Sequence, residues 1–269
     1  MTEPLQKHFT IDVHQKLYEK DTPHGNLEVY QTSPYGVMLT LNGHILMSEF
    51  DGFFYHEMMA HPALFTHPHP QSIAIIGNCH GILLEVLKHS CVTQVHCIND
   101  NTQLEEAVSQ YFPSLVQAKS DPRVQYHFID PQTWAKACIA ETIDIVILGQ
   151  HSDTCLREHY QYFYSALRED GILVQPCQSS FLHLHTLKPL FQNIQLAGFH
   201  DWQTLNFPQP SYPTGWRTTM MAMKRPTINR IREKDVFNRN FSTRYYNFDT
   251  HKAALALPEF MREEFDKVC

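Results

Sequence analysis

The stretch Gln71–Asp100, QSIAIIGNCHGILLEVLKHSCVTQVHCIND, decides the fold that we predict for this chain. A short apolar run, SIAIIG, ends in the polar turn NCHG. Leucines and a valine at helical spacing follow, and then a second β-branched run, VTQVHCIN. This order of strand, turn, helix and strand is typical of a parallel βαβ crossover. Because ligands of open α/β sheets bind at the carboxyl ends of the strands, the turn Gly77–Gly81 and the tip Asn99–Asp100 should face one cleft.

The chain downstream of this unit continues to alternate between strand and helix patterns. The run DIVILG (Asp144–Gly149) is continuously apolar, as in a buried parallel strand. A helix follows in TCLREHYQYFYSALRE, and we expect Asp170–Gly171 to terminate it before the strand ILVQP. Trp202–Phe207 and Thr218–Met223 are two further strand-like runs. The fold class predicted is therefore α/β, with a Rossmann-like, methyltransferase-type core of about seven strands.

Capping signals and a charged C-terminus complete this part of the prediction. Thr102–Glu105 has capping-box spacing and should begin a helix. The residues from Thr227 onward are charged and weakly helical in pattern. We expect them to form a helical tail on the core.

The first fifty residues predict β structure. LEVYQT (Leu27–Thr32) and GVMLTL (Gly36–Leu41) alternate apolar and polar side chains, and Asn42–Gly43 is a strong signal for a two-residue type I′ hairpin. A helical pattern follows in DGFFYHEMMAHPALF, which Pro62 should kink or limit. We therefore divide the chain into residues 1–66, a small N-terminal β domain with the helix leading into the core, and residues 67–269, a Rossmann-like catalytic domain with its helical tail.

Composition excludes several classes of function. The 269-residue chain has a net charge of −7 at pH 7, whereas a nucleic-acid partner requires a basic face. An acidic chain suits a cationic ligand, although many soluble proteins are acidic without one. No apolar run approaches the ~18 residues of a membrane span, and the N-terminus lacks a signal-peptide core. Seven cysteines without a CxxC pair favour reduced thiols and a cytoplasmic location.

Eighteen histidines raise the question of a metal site. The closest pairs, His67/His69 and His183/His185, stand two residues apart, and no carboxylate or cysteine lies nearby at ligand spacing. We therefore expect no metal.

Polar residues at predicted strand ends are the candidates for ligand binding. The turn NCHG matches neither GxGxxG nor GxxxxGK[ST], so dinucleotides and nucleoside triphosphates are not favoured. A ligand with a ribose and a base still suits such a turn. Asn99 or Asp100 could bind a ribose hydroxyl and Asp130 an adenine amino group, or these residues could simply cap the sheet. Tyr55-His56-Glu57 on the helix is a second cluster, either a solvated face or part of a site rimmed by carboxylates.

Several of these motifs resemble those of the spermidine synthases, the polyamine aminopropyltransferases. The matches run in order from about Gly25 to Pro258 and are most specific in the C-terminal segment RYYNFDTHKAALALP. They comprise Glu49 and Asp51, FFYHEMMAHPALFTHPHPQSIAIIG (53–77), Asp121-Pro-Arg123, SYPTGW (Ser211–Trp216) and Arg244–Pro258.

The resemblance implies an activity as well as a fold. The reaction it implies moves the aminopropyl group of S-adenosylmethioninamine, the co-substrate, onto putrescine and yields spermidine and 5′-methylthioadenosine, with no metal or other cofactor. It also implies a homodimer or homotetramer. The residues that it indicates for substrate binding are Tyr55, His56, Asn99, Asp130, Gln150 and Tyr212.

The departures from the family pattern concern its charged residues. His80 or Cys79 stands near the position of a polyamine-binding carboxylate, and Asn99 replaces a ribose-binding glutamate. The aspartate that the family is taken to use as proton acceptor falls at Gly149, and a binding glutamine is lost at Gly25 or Asn26. The candidate catalytic residues that could substitute for the aspartate are His80, His151 and Asp153.

Three interpretations remain open on the sequence. In the first, the chain is an aminopropyltransferase with a substitute base. Losing a positioned base typically costs about 10²–10⁴ in rate. Alternatively it is an inactive relative that binds a nucleoside or a partner subunit. The third interpretation, a methyltransferase on the same core, gives the YHE run and the C-terminal segment no role.

Overall fold

The structure, a computed structural model, describes residues 10–149, 157–177, 180–226 and 230–265. Within this part the chain forms two β-sheets, with most of the helices packed on the larger one. The strands are β1 (Asp12–Thr22), β2 (Gly25–Ser33), β3 (Gly36–Leu41), β4 (His44–Ser48), β5 (Ser72–Ile76), β6 (Gln94–Ile98), β7 (Val124–His127), β8 (Ile143–Leu148), β9 (Leu167–Cys177), β10 (Asp201–Pro208) and β11 (Trp216–Met223). The helices are α1 (Gly52–Thr66), α2 (His80–Leu87), α3 (Thr102–Tyr111), α4 (Pro131–Ala137), α5 (Arg157–Ala166), α6 (Ser180–Ala197), α7 (Glu233–Phe237), α8 (Phe248–Leu255) and α9 (Glu259–Phe265).

The N-terminal sheet is an antiparallel meander in the order β1-β2-β3-β4. The hairpin between β3 and β4 turns at Asn42 and Gly43, whose φ angles of 50° and 73° are those of the predicted type I′ turn. Alternate residues of β2, Leu27 and Val29, are fully buried against β3 and against the apolar face of α3. The small sheet is thus fixed to the larger unit through α3.

The central sheet has seven strands in the order β10-β11-β9-β8-β5-β6-β7. Strands β5, β6, β7, β8 and β9 pair with one another in parallel. At one edge β11 pairs antiparallel with β9, and β10 pairs antiparallel with β11. The α/β class and the strand number predicted from the sequence are confirmed. Ile73 and Ile75 on one face of β5 and Ala74 and Ile76 on the other belong to two separate apolar cores, because helices cover both sides of the sheet.

Helix α1 differs from the predicted amphipathic helix. Thirteen of its fifteen residues are buried, including Tyr55, His56 and Glu57, for which a solvated face was one of the two predicted alternatives. The reason is that α1 packs on the central sheet through Met58 and Met59 while the C-terminal segment covers it from outside. The division of the chain at residues 66 and 67 remains a prediction, since α1 shares its core with the central sheet.

Two predicted element boundaries are wrong. Helix α5 ends at Ala166 and strand β9 begins at Leu167, before the expected stop at Asp170–Gly171. Pairing of β9 with β8 and an ion pair of 2.7 Å between Arg168 and Asp144 favour the earlier strand. Helix α3 is capped by Asn101, whose side-chain oxygen accepts a hydrogen bond from the Leu104 N–H at 2.9 Å, and not by Thr102.

None of the helices in the described ranges is long and apolar enough to cross a bilayer.

Candidate active site

A cavity of about 220 Å³ opens at the carboxyl ends of the parallel strands. Gly77 and Asn78 line it from the first turn, and Asn99 and Asp100 line it from the end of β6. The turn and the tip therefore face one cleft, as the βαβ pattern predicted. Further lining comes from Asp130 after β7, Gly149 after β8, and His24 and Leu41 of the N-terminal sheet.

Asn99 lies at the cavity wall and is tied into its own turn. Its amide oxygen accepts a hydrogen bond from the Asn101 N–H at 3.1 Å, and its amide nitrogen donates to Oε1 of Glu105 at 3.1 Å. An amide oxygen has a second lone pair, so one acceptor site is left for a hydroxyl group. Asn99 thus has the chemistry to bind a ribose while it also orders the turn.

Asp130 both lines the cavity and caps helix α4. Its Oδ2 accepts hydrogen bonds from the N–H of Thr133 at 2.8 Å and from the Thr133 hydroxyl at 2.9 Å. Capping and ligand binding were alternatives for this residue in the sequence. They are compatible here, because the cap uses one carboxylate oxygen and the other can accept from an amino group.

Gly149 lies close to the first turn. Its N–H donates to the carbonyl of Ile76 at 2.6 Å, and a Cβ at this position would fall 2.8 Å from the carbonyl oxygen of Asn78. A side chain at position 149 would therefore displace the backbone of the turn. The three predicted site residues that follow, Gln150, His151 and Asp153, lie outside the described residues.

His80 lies beneath the turn and is not among the residues that line the cavity. It is 1% exposed, and its Nε2 lies 3.0 Å from Oε1 of Glu105 on α3. Glu105 also contacts Asn99 and, at 3.3 Å, the Lys119 ammonium. Burial alone would raise the pKa of Glu105, but the contacts with His80, Asn99 and Lys119 outweigh it and lower that pKa.

Tyr55 and Tyr212 are brought together across a cation that sequence reasoning missed. The guanidinium carbon of Arg217 lies 4.6 Å from the ring centroid of Tyr55 and 4.3 Å from that of Tyr212. Both distances are those of cation–π contacts. The one signal in the sequence was a basic residue directly after the SYPTGW loop.

His56 connects helix α1 to the first turn. A Cβ added to Gly81 would fall 2.1 Å from Cε1 of the His56 ring, so only glycine fits beneath this imidazole. Helix α1 and the Gly77–Gly81 turn are therefore in contact, although Tyr55 and His56 are not among the residues that line the cavity. Burial lowers the pKa of His56 to about 4, and the imidazole is neutral at pH 7.

The carboxylates near the YHE run do not form the predicted rim. Asp51 is fully buried and accepts hydrogen bonds from the Ser211 N–H at 2.6 Å and the Ser211 hydroxyl at 2.7 Å. Glu57 accepts from the backbone N–H groups of residues 244 to 246 at 2.7–2.8 Å. Both charges are therefore held by other segments of the chain: Asp51 anchors the SYPTGW loop, and Glu57 anchors the C-terminal segment.

These features define an α/β protein with a cavity of about 220 Å³ at the strand ends and two tyrosines around the Arg217 guanidinium. Comparison with known proteins gives the family. Residues 52–232 match the spermine/spermidine synthase domain, and residues 2–49 match the spermidine synthase tetramerisation domain. The polyamine aminopropyltransferase of Nitrosococcus oceani is 38% identical over 95% of this chain and 92% of its own length. That of Methylococcus capsulatus is 38% identical over 93% and 90%.

Solved structures agree. A spermidine synthase in complex with the transition-state analogue AdoDATO superposes with a TM-score of 0.89, at 26% identity over 96% of this chain and 90% of that one. Spermidine synthase from Thermotoga maritima gives 0.87 at 27% identity, over 95% and 89%. The chain belongs to the spermine/spermidine synthase family, whose members are transferases. These relatives give no support to an inactive protein or to a methyltransferase.

Proposed function

We propose that this chain is a polyamine aminopropyltransferase of the spermidine synthase type. It transfers the aminopropyl group of S-adenosylmethioninamine to putrescine and releases spermidine and 5′-methylthioadenosine. The observation that carries the proposal is the cavity at the strand ends, where Asn99 and Asp130 offer acceptors for a ribose and an adenine, in a chain of this family.

The adenosyl group occupies the cavity in this proposal. The second lone pair of the Asn99 amide oxygen accepts a ribose hydroxyl, and the Asp130 oxygen not used by the helix cap accepts from the adenine amino group. The amine lies beside the aromatic residues Tyr55, His56 and Tyr212, with Gln150 as a further contact. A neutral His56 adds no positive charge to a site that must hold two cationic substrates.

The chemistry is an in-line displacement at the methylene next to the sulfonium. The amine nitrogen forms the new N–C bond, the C–S bond breaks, and its electron pair neutralises the sulfur as methylthioadenosine leaves. Since only an unprotonated amine is nucleophilic, a base must take one proton from the ammonium group, and this base is His151 or Asp153. Alignment of the two substrates provides much of the remaining acceleration. We do not place His80 in this role, because it lies beneath the turn.

The proposal includes assembly and location. The match of residues 2–49 to a tetramerisation domain supports a homo-oligomer, dimer or tetramer. The thiols of Cys79, Cys91, Cys97, Cys138 and Cys177 form no disulfide within the described part of the chain, which suits a reducing compartment, so we place the enzyme in the cytoplasm. The displacement itself needs no redox cofactor and no metal.

The test supplies purified protein with S-adenosylmethioninamine and putrescine and measures methylthioadenosine across about pH 6–10. We expect slow release that depends on both substrates. The double variant His151→Ala, Asp153→Asn should lose most of this rate, whereas the matched control His200→Ala, on an exposed histidine, should keep it. Intact binding of both ligands with no product above the enzyme-free control would contradict the proposal and favour the binding-only interpretation.

A further inference from the structure

The first turn of the central sheet and helix α3 bring three metal-binding side chains together. Cys79 and His80 lie at the start of α2, and Glu105 lies in the first turn of α3. The Cys79 sulfur, an imidazole nitrogen of His80 and a carboxylate oxygen of Glu105 all lie within 4.8 Å of one another. This is a cluster of a thiol, an imidazole and a carboxylate beneath the cleft, and the proposed transfer reaction does not use it.

The cluster is buried and incompletely hydrogen-bonded. Cys79 and His80 are each 1% exposed and Glu105 is 7% exposed. The His80 Nε2 lies 3.0 Å from Oε1 of Glu105, whose Oε2 faces the Lys119 ammonium at 3.3 Å, whereas Nδ1 of His80 has no hydrogen-bond partner among the described residues. A buried polar atom without a partner is costly, so this nitrogen, beside a thiol and a carboxylate, points to a ligand that completes the cluster.

We propose that Cys79, His80 and Glu105 bind a zinc ion that fixes the first turn to helix α3. The donor set of sulfur, nitrogen and carboxylate oxygen is one that Zn²⁺ takes, and donors on a zinc tetrahedron lie about 3.3–3.7 Å apart. The donor atoms of the cluster lie within 4.8 Å of one another, with His80 Nε2 and Glu105 Oε1 3.0 Å apart, so small side-chain shifts would bring them to this spacing.

The charges of such a site balance. Binding releases the thiol proton of Cys79 to solvent, and one thiolate and one carboxylate then neutralise the two charges of the ion around a neutral imidazole. No net charge remains buried, which a low-dielectric site requires. Because all three donors come from the protein and lie below the cavity, the role of the ion is structural.

The first experiment measures metal in protein purified without a polyhistidine tag. We expect about one zinc per chain by mass spectrometry, and a fall of at least about tenfold in Cys79→Ser and in His80→Gln. Cys91→Ser is the matched control, because Cys91 is exposed, and it should keep the metal. Zinc retained in both cluster variants would place the ion elsewhere and overturn the proposal.

A second measurement does not depend on whether the variants fold. Wild-type protein reconstituted with Co²⁺ should show a thiolate-to-cobalt charge-transfer band together with the visible bands of tetrahedral cobalt. A folded wild-type protein that binds no zinc, or whose cobalt spectrum lacks the thiolate band, would overturn the assignment. Neither readout requires turnover, so the result is independent of the proposed transferase activity.

Discussion

Arg217 places a fixed positive charge between two tyrosines that the proposed function gives to the amine. Its guanidinium carbon lies 4.3 Å from the centre of one ring and 4.6 Å from the other, and the residue is 6% exposed. A cation between the two rings attracts both of them and so fixes their relative positions. It also repels the ammonium groups of a diamine, because charge interactions are weakly screened where water is excluded.

We predict that Arg217→Gln binds putrescine more tightly. Loss of the like charge should lower KM for putrescine by at least about threefold, with a smaller effect on KM for the nucleoside. Steady-state kinetics with each substrate varied in turn checks this. Arg262→Gln is the control, since Arg262 is exposed on α9. An unchanged KM for putrescine in Arg217→Gln would mean that the amine does not approach these tyrosines.

At the scale of elements, two departures from the family pattern are physically linked. The first turn is short, and the carbonyl oxygen of Asn78 lies close to Gly149. Any residue other than glycine at position 149 would place its Cβ too near this oxygen. The glycine at position 149, where the resemblance predicts an aspartate, is therefore required by the turn opposite it. Restoring the carboxylate without lengthening the turn would create a clash rather than a base.

We predict that Gly149→Asp is less stable and no faster. Overpacking against backbone typically costs about 1–3 kcal/mol, and the variant should lose about that much in urea unfolding. Gly149→Ala separates the steric part from the charge and should show most of the loss. A higher kcat in Gly149→Asp would show that the turn yields easily and that the missing aspartate alone limits the rate.

The C-terminal segment covers α1, and its buried histidine makes the stability of the folded chain depend on pH. His251 on α8 is fully buried, with Nδ1 at 2.8 Å from the Tyr246 hydroxyl. Burial lowers the pKa of His251 from 6.5 to about 4. In the unfolded chain His251 is protonated below pH 6.5, whereas in the folded chain it stays neutral down to about pH 4. The free energy of unfolding therefore falls as the pH falls through this window.

We predict a loss of about 2 kcal/mol from His251 alone between pH 7 and pH 5. In His251→Gln, which keeps a polar partner for Tyr246, the free energy of unfolding should change less over the same interval. Urea unfolding at the two pH values measures the difference. The exposed His200→Gln is the control and should follow the wild type. Equal pH dependence in His251→Gln and wild type would contradict a neutral buried His251.

The elements themselves were predictable because their signals are local. The Asn42–Gly43 hairpin and the strands β5 and β6 follow from backbone preference and apolar pattern over a few residues. What the sequence concealed depends on contacts between distant segments. Glu57 looked solvated because its partners are backbone N–H groups of the C-terminal segment, and Glu105 showed no relation to His80 because they begin different helices.

At the scale of the whole molecule, the N-terminal sheet ends in a long edge strand. Eight of the eleven residues of β1 are exposed, Val13 among them with 51% of its surface accessible. Among the described residues β1 pairs with β2 on one side only, so its other edge presents backbone groups that they leave unpaired. This sheet belongs to the segment that matches a tetramerisation domain. We therefore expect copies of the chain to meet through the N-terminal sheet.

We predict that wild-type protein is a dimer or tetramer by light scattering and that Val13→Asp dissociates it. A carboxylate in place of Val13 would be buried in the contact without a partner, which costs several kcal/mol and shifts the equilibrium toward smaller species. Ile139→Asp is the matched control: Ile139 is 75% exposed after α4, in the part of the chain carrying the central sheet, and its replacement should leave the mass unchanged. If Ile139→Asp dissociates the protein and Val13→Asp does not, assembly uses the central-sheet surface, and the N-terminal sheet serves only to close the cavity through His24 and Leu41.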